Sequence, residues 1–213
     1  MPPGLLARRH FYSARARLSR GGLSLSLGRM NHFLACMLLL FALSGQAQTL
    51  PPLQVEVKRV VQEDMTVYDI TASGAVKASP GAVWKILTNY DKMPEFVPDL
   101  ATSRVLSRSG DDAIIEQFGE ARFLFVRRDI HLIVLAKEQP MNRIVISLVS
   151  GDMKVYQCQW ELVALAETGG TRINYTGKMA PKFYVPGMLG ANIIKGDIAR
   201  MMAAVLARLD RTD

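Results

Sequence analysis

Alternation with a period of two dominates the C-terminal two thirds of the chain. It is clearest where Tyr156, Cys158, Trp160, Leu162 and Ala164 share one face of an extended segment while Gln157, Gln159 and Glu161 share the other. Successive strand side chains point to opposite faces, so this segment reads as a strand buried on its apolar side only. The same signal, rich in β-branched residues and cut by turn residues, predicts strands over 55–61, 66–78, 103–108, 113–118, 121–126, 129–136, 143–149, 154–165 and 171–179. The runs AIIEQF and ARFLFV are expected to be separate strands joined near Gly119, which makes the series after residue 100 an antiparallel meander of six or seven strands.

Two segments change to the helical period. Ser79-Pro80 offers an N-cap hydroxyl followed by a proline whose missing N–H costs nothing in the first turn, and Val83, Ile86, Leu87 and Tyr90 follow as an apolar stripe. From Pro186-Gly187 to about Arg211, Ile194, Ile198, Met201, Val205 and Leu209 recur at helical spacing. A sheet with one apolar face and one long amphipathic helix must cover each other, because neither buries its stripe alone. The fold class is therefore α+β. Between the two lies NYDKMPEFVPDL (89–100), which keeps Met93, Phe96, Val97 and Leu100 among its prolines and acids; a polar linker needs no such side chains, so this segment is expected to pack on something. Gly187, Gly190 and Gly196 sit in or near the first turns of the last helix, where each internal glycine costs about 1 kcal/mol relative to alanine. Tight packing on the sheet, or a loosened gate over YVPGMLGANIIKG, would account for them.

Composition sets the scale: 213 residues, 49% apolar and 21% charged, suit one globular domain with extras. The net charge of +7 does not belong to that domain. Residues 1–47 carry Arg8, Arg9, Arg15, Arg17, Arg20 and Arg29 and no acid, which leaves the remainder close to neutral and without the basic footprint of a nucleic-acid binder. Within this leader FLACMLLLFAL (33–43) is too short to span a bilayer and is followed by Gly45-Gln46-Ala47, the pattern of a secretory signal cut after Ala47. Met30 is an alternative start, and the Arg- and Ser-rich stretch before it also suits an organelle transit peptide. The organisation expected is a leader over 1–47, a spacer over 48–54 and one domain over 55–213, periplasmic or secreted after cleavage.

Candidate chemistry is sparse. Beyond the leader the chain keeps one histidine, His131, and one cysteine, Cys158, so no disulfide and no His/Cys zinc site can form within the domain. Cys158 reads as a small buried hydrophobe and His131, in RDIHLIV, as a mid-strand residue on a solvated face. No G-x-S-x-G, G-x-G-x-x-G or Walker pattern occurs. Glu116, Glu120 and Asp129 could act as acid or base if buried, although charged strand residues usually face water; Arg122, Arg127 and Arg128 read as a solvated edge. No cofactor or metal is implied.

The stretches VWKILTNYDKMPEFVPDL, SGDMKVYQCQWEL, GGTRINYTGKMAP and VPGMLGANIIKGDIARMMAAVLARL, in this order over about residues 55–210, resemble the START-like superfamily, in its branch of polyketide cyclases and coenzyme Q-binding proteins. The resemblance implies a helix-grip fold: a curved antiparallel sheet wrapped around the C-terminal helix, short helices capping one end, and a cavity between sheet and helix. It implies a hydrophobic small-molecule ligand (lipid, quinone or polyketide-like) held by Phe96, Met153, Tyr156, Trp160, Tyr175, Met188, Ile194, Ile198 and Met201, with Met93, Val97 and Leu100 closing the cap and Pro94 and Pro98 stiffening it. A non-catalytic carrier or sensor fits the lack of catalytic residues, and transient membrane contact is compatible with such a cargo. A cyclase or dehydratase acting in the same cavity is the alternative, and it would require ionisable groups inside.

Overall fold

The structure is a computed structural model, and it describes residues 50–123, 126–185 and 189–211. The leader and its cleavage signature lie outside the described residues. Strands β1 (Gln54–Gln62) and β2 (Met65–Val76) form a first hairpin, and helix α1 (Pro80–Leu87) and a 3-10 helix (Tyr90–Glu95) follow. Then come β3 (Leu100–Ser109), β4 (Asp112–Phe123), β5 (Val126–Gln139), β6 (Arg143–Gly151), β7 (Met153–Ala164), β8 (Thr171–Pro181) and the terminal helix α2 (Gly190–Leu209). The strands of the described residues join one antiparallel sheet of eight in the order β1-β2-β8-β7-β6-β5-β4-β3. The meander β3 to β8 runs in sequence order, and the first hairpin adds to its far edge through β2. The sheet is curved and open. Register shifts interrupt the pairing of β3 with β4, β5 with β6 and β7 with β8, and bulges of this kind bend a strand and raise its twist.

The concave face is the apolar one. Ile70, Val76, Ile115, Val134, Ile144, Trp160, Ile173 and Tyr175 bury their side chains there, and α2 covers them with Ile194, Ile198, Met202, Val205 and Leu209. Met201, the remaining member of the expected stripe, is half-buried on the sheet-facing side with them, and Met202 is a buried residue that the stripe did not include. Gly190 packs directly under the Tyr68 hydroxyl, where a Cβ would overlap it, which accounts for that glycine by close approach. Gly196 has no such neighbour, since the nearest atom to a Cβ there is Arg200 Nη1 at 4.0 Å. Gly187 falls outside the described residues.

The break expected near Gly119 is absent. AIIEQF and ARF form one strand, β4, that pairs continuously with β5 from Asp112↔Lys137 to Phe123↔Val126, so the meander has six strands. Gly119 serves a crossing and not a turn. The chain entering β3 passes so close that a Cβ at Gly119 would stand 2.6 Å from the Asp99 carbonyl oxygen, and that carbonyl accepts the Glu120 N–H at 2.8 Å.

At one end of the sheet α1 and the 3-10 helix form the cap. Ser79 Oγ accepts the Ala82 N–H as N-cap, Pro80 opens the first turn, and Val83 and Leu87 are buried. Tyr90 is buried beneath the 3-10 helix, where its hydroxyl donates to Glu138 on β5 at 2.9 Å; Arg108 on β3 pairs with the same carboxylate at 3.0 Å. Asp91 Oδ1 accepts the Val105 N–H, at the bulge of edge strand β3. These bonds fix the cap to β3 and β5 and set the position of the segment that follows it. No helix among the described residues is long and apolar enough to cross a membrane.

Candidate functional site

The concave face, α2 and the cap enclose a cavity of about 280 Å³. Its floor is a small array of side chains set by antiparallel register. Tyr156, Cys158 and Trp160 alternate inward along β7, and Met179, Gly177 and Tyr175 stand opposite them on β8. Trp160 meets Tyr175 edge-on, with ring centroids 4.9 Å apart and planes at 66°, an arrangement favoured by the ring quadrupoles. The Tyr156 and Tyr175 hydroxyls both hydrogen-bond to the Cys158 thiol. Ile146 on β6 and Leu132 on β5 extend the floor; Leu87, Met93, Val97 and Leu100 close the cap side; Ile194, Ile198, Met201 and Val205 form the helix side.

Of the expected ligand residues, Met153, Tyr156, Trp160, Tyr175, Ile194, Ile198 and Met201 lie on this wall. Phe96 does not. The backbone turns at the end of the 3-10 helix, with φ −138° at Phe96, and the ring lodges against the core beneath Arg208, whose guanidinium carbon is 6.0 Å from its centroid. Val97 and Pro98 take the cavity side instead. Met188 lies outside the described residues.

The charged groups have separate places. Asp99, Glu120 and Asp197 stand on the cavity wall, and each is tied to arginine. Arg200 on α2 reaches Asp99 at 2.9 Å and Asp197 at 2.9 Å, while Arg122 on β4 reaches Asp99 at 3.1 Å and Glu120 at 2.6 Å. Because these side chains remain partly exposed, they mark the mouth. Asp99 adopts a left-handed backbone, φ 61°, a conformation that aspartate tolerates better than most residues. It thereby aims its carboxylate at both arginines while its carbonyl holds β4. Burial raises the Asp197 pKa above the ordinary carboxylate value against the opposing pull of Arg200.

Glu116 lies on the convex face. The hydrogen bond from Arg104 (2.8 Å) is the main cause that lowers its pKa, and His131 Nε2 adds a contact at 3.2 Å. His131 itself stacks on Phe118 at 4.3 Å with its side chain 40% exposed, so it takes the solvated strand position expected for it. Asp129 is exposed and away from the cavity. Arg127 pairs loosely with Glu120 at 3.8 Å, and Arg128 lies over the Phe183 ring at 5.1 Å. On the floor, burial pushes the Cys158 thiol up to about 11. The neighbouring thiol and burial raise Tyr156, and burial foremost raises Tyr175, so all three groups stay protonated at neutral pH. Among the described residues no cluster of three or more His, Cys, Asp or Glu is placed to hold a metal ion.

Sequence reasoning missed Asp99, Asp197 and Gln117 as wall residues. Gln117 faces inward because β4 runs straight through Gly119, and the two aspartates meet through Arg200, which lies 101 residues from Asp99.

A family model described as polyketide cyclase / dehydrase and lipid transport matches residues 76–206. Among solved structures, a START superfamily protein from Mycobacterium smegmatis is similar to this chain at 16% identity, over 68% of this chain and 99% of that one, with a TM-score of 0.60. The Zhui aromatase/cyclase from Streptomyces sp. R1128 is similar at 10% identity, over 68% and 94%, with a TM-score of 0.58. Human StAR-related lipid transfer protein 5 is similar at 14% identity, over 86% and 96%, with a TM-score of 0.57. At these identities the likeness is one of fold. Among curated proteins, none matches the chain in sequence.

Proposed function

Because this chain belongs to the polyketide cyclase/dehydrase and lipid transport family, we propose that its domain is a non-catalytic carrier or sensor that holds a hydrophobic small molecule between sheet and helix. The observation that carries this reading is the partition of the cavity. Aromatic and aliphatic side chains line its depth, while the three carboxylates on its wall stand at the mouth and are each ion-paired with Arg122 or Arg200. Apolar surface removed from water supplies about 2.5 kcal/mol per 100 Å², so affinity needs no charged contact. A cyclase would need a free acid or base facing its substrate. Glu116 and Asp129 lie outside the cavity and Glu120 is held by Arg122, which weighs toward binding.

Size narrows the ligand. A volume of about 280 Å³ is roughly twice that of a cavity that takes up benzene, about 150 Å³, so a longer lipid or isoprenoid would extend through the mouth. We place this function outside the cytoplasm, on the strength of the apolar run and Gly45-Gln46-Ala47 in the leader. The test is to purify the mature domain from its native compartment, sequence its N-terminus and identify co-purifying molecules by mass spectrometry. An apolar compound is expected, with retention reduced in Trp160→Ala, on a chain beginning near Gln48. Recovery of polar metabolites alone would overturn the carrier reading, and an uncut leader on cytoplasmic protein would overturn export.

A further inference from the structure

The floor of the cavity carries more hydrogen-bonding capacity than it uses. Tyr156 and Tyr175 both direct a hydroxyl at the Cys158 thiol, and a thiol sulfur is a weak acceptor. The geometry is enforced from below. Gly177 stands opposite Cys158 on β8, and a Cβ there would come 3.3 Å from the Tyr175 hydroxyl and 3.4 Å from Cys158 Cβ. The absent side chain is therefore what lets the tyrosine reach across to the thiol. Trp160 braces Tyr175 edge-on from the other side. Two strong donors thus converge on one poor acceptor at the bottom of an apolar cavity.

The charge around them is equally specific. Among the described residues no lysine, arginine or histidine lines the cavity, and the acidic ones stand at the mouth. A carboxylate or phosphate placed on the floor would be a buried charge without a counter-ion, which costs several kcal/mol. An ammonium would find only protonated hydroxyls and a protonated thiol. A neutral oxygen with free lone pairs faces neither penalty, and it accepts from a tyrosine far better than sulfur does.

We propose that the Tyr156–Cys158–Tyr175 cluster selects ligands bearing a neutral carbonyl oxygen at the buried end of an apolar body, with both tyrosine hydroxyls turning from the thiol to that oxygen on binding. This assignment rests on the apolar cavity being the binding site, and it names the class of molecule that the cavity takes. Pure hydrocarbons of the same shape bind, but without the selecting bonds; carboxylates of the same shape are rejected.

The test uses three probes matched in shape, α-tetralone, tetralin and tetralin carboxylate, titrated into the mature domain and into Tyr156→Phe, Tyr175→Phe and the double variant. Binding is measured by calorimetry, and the ketone's C=O stretch by infrared difference spectroscopy. One net hydrogen bond corresponds to roughly a tenfold change in affinity. Tetralone is therefore expected to bind about tenfold more tightly than tetralin, with its C=O stretch moved to lower frequency and the carboxylate unbound. In the double variant the ratio of ketone to tetralin affinity should fall to about one and the frequency shift should vanish. Each substitution removes only a hydroxyl, and circular dichroism with thermal unfolding certifies the fold of each variant. Equal affinity for ketone and hydrocarbon in the unmodified domain overturns the carbonyl assignment and leaves the apolar cavity standing, as does an advantage that survives in the double variant. Preference for the carboxylate also overturns it. Failure of all three probes to bind would instead sink the cavity reading on which the assignment depends.

Discussion

Gly190 and Gly196 belong to the same helix, yet the same substitution should move stability in opposite directions. At Gly196 an added Cβ meets nothing closer than Arg200 Nη1 at 4.0 Å, so alanine brings only its propensity advantage over glycine in a helix interior, about 0.8–1.0 kcal/mol. In a domain of this size about 1 kcal/mol moves Tm by roughly 2–4 °C. At Gly190 the Cβ would overlap the Tyr68 hydroxyl and lie 2.8 Å from Val185 Cγ1. Tyr68 is 1% exposed and locked between sheet and helix, so overpacking costs about 1–3 kcal/mol and outweighs any propensity gain at the first helical residue. Thermal and urea unfolding of the domain with Gly196→Ala and Gly190→Ala measures both. The first should melt higher and the second lower than the parent, with an unchanged urea m-value. A Gly196→Ala domain that melts lower, or a Gly190→Ala domain that melts higher, would refute this account of how α2 seats on β2.

How much of this was legible in the chain depends on whether a feature is periodic. The face shared by Tyr156, Cys158, Trp160 and Leu162 follows from strand geometry alone, and the structure buries Cys158, Trp160 and Leu162 as the alternation requires. Ser79-Pro80 is a local rule and caps α1 as expected. Gly119 was misread because a glycine that permits a turn and a glycine that permits another chain to cross look identical in one dimension. Met202 was missed as a buried residue because a stripe at 3.6 residues per turn leaves neighbouring flank positions nearly equivalent until a sheet is placed against them. Phe96 lies in a segment without repeating geometry, and the backbone turn at its own position sends the ring away from the cavity. The mouth was beyond reach altogether. Asp99 and Arg200 meet across 101 residues, and nothing local to either marks the other. The START-like resemblance supplied what periodicity could not, a cavity left between sheet and helix, but it carried no information on where the charges sit.

Two further outcomes follow from the mouth and from the floor. Asp99→Asn keeps a residue tolerant of the left-handed backbone but removes the pairs to Arg122 and Arg200; since these groups are partly exposed, the loss should be about 1 kcal/mol or less in urea unfolding at low salt. It should shrink in about 1 M salt, where screening shortens to roughly 3 Å, and a deficit that grows with salt would contradict the pairing. Cys158 tests the floor. With its pKa raised by burial to about 11, about one thiol in a thousand is ionised at pH 8, so alkylation of the native domain should be slow and alkylation in denaturant fast. The folded pKa lies above the unfolded one, near 9, and the sign of the linkage follows: the contribution of the protonated thiol is complete below pH 9 and is lost as pH rises toward 11, on the order of 2–3 kcal/mol. The stability of Cys158→Ala should therefore fall less steeply than that of the parent between pH 9 and 10, before Tyr156 and Tyr175 add their own loss as unfolded tyrosines ionise near pH 10. Identical pH profiles in the two proteins, or rapid native alkylation at pH 8, would mean that the thiol is open to water and that the two hydroxyls do not close over it.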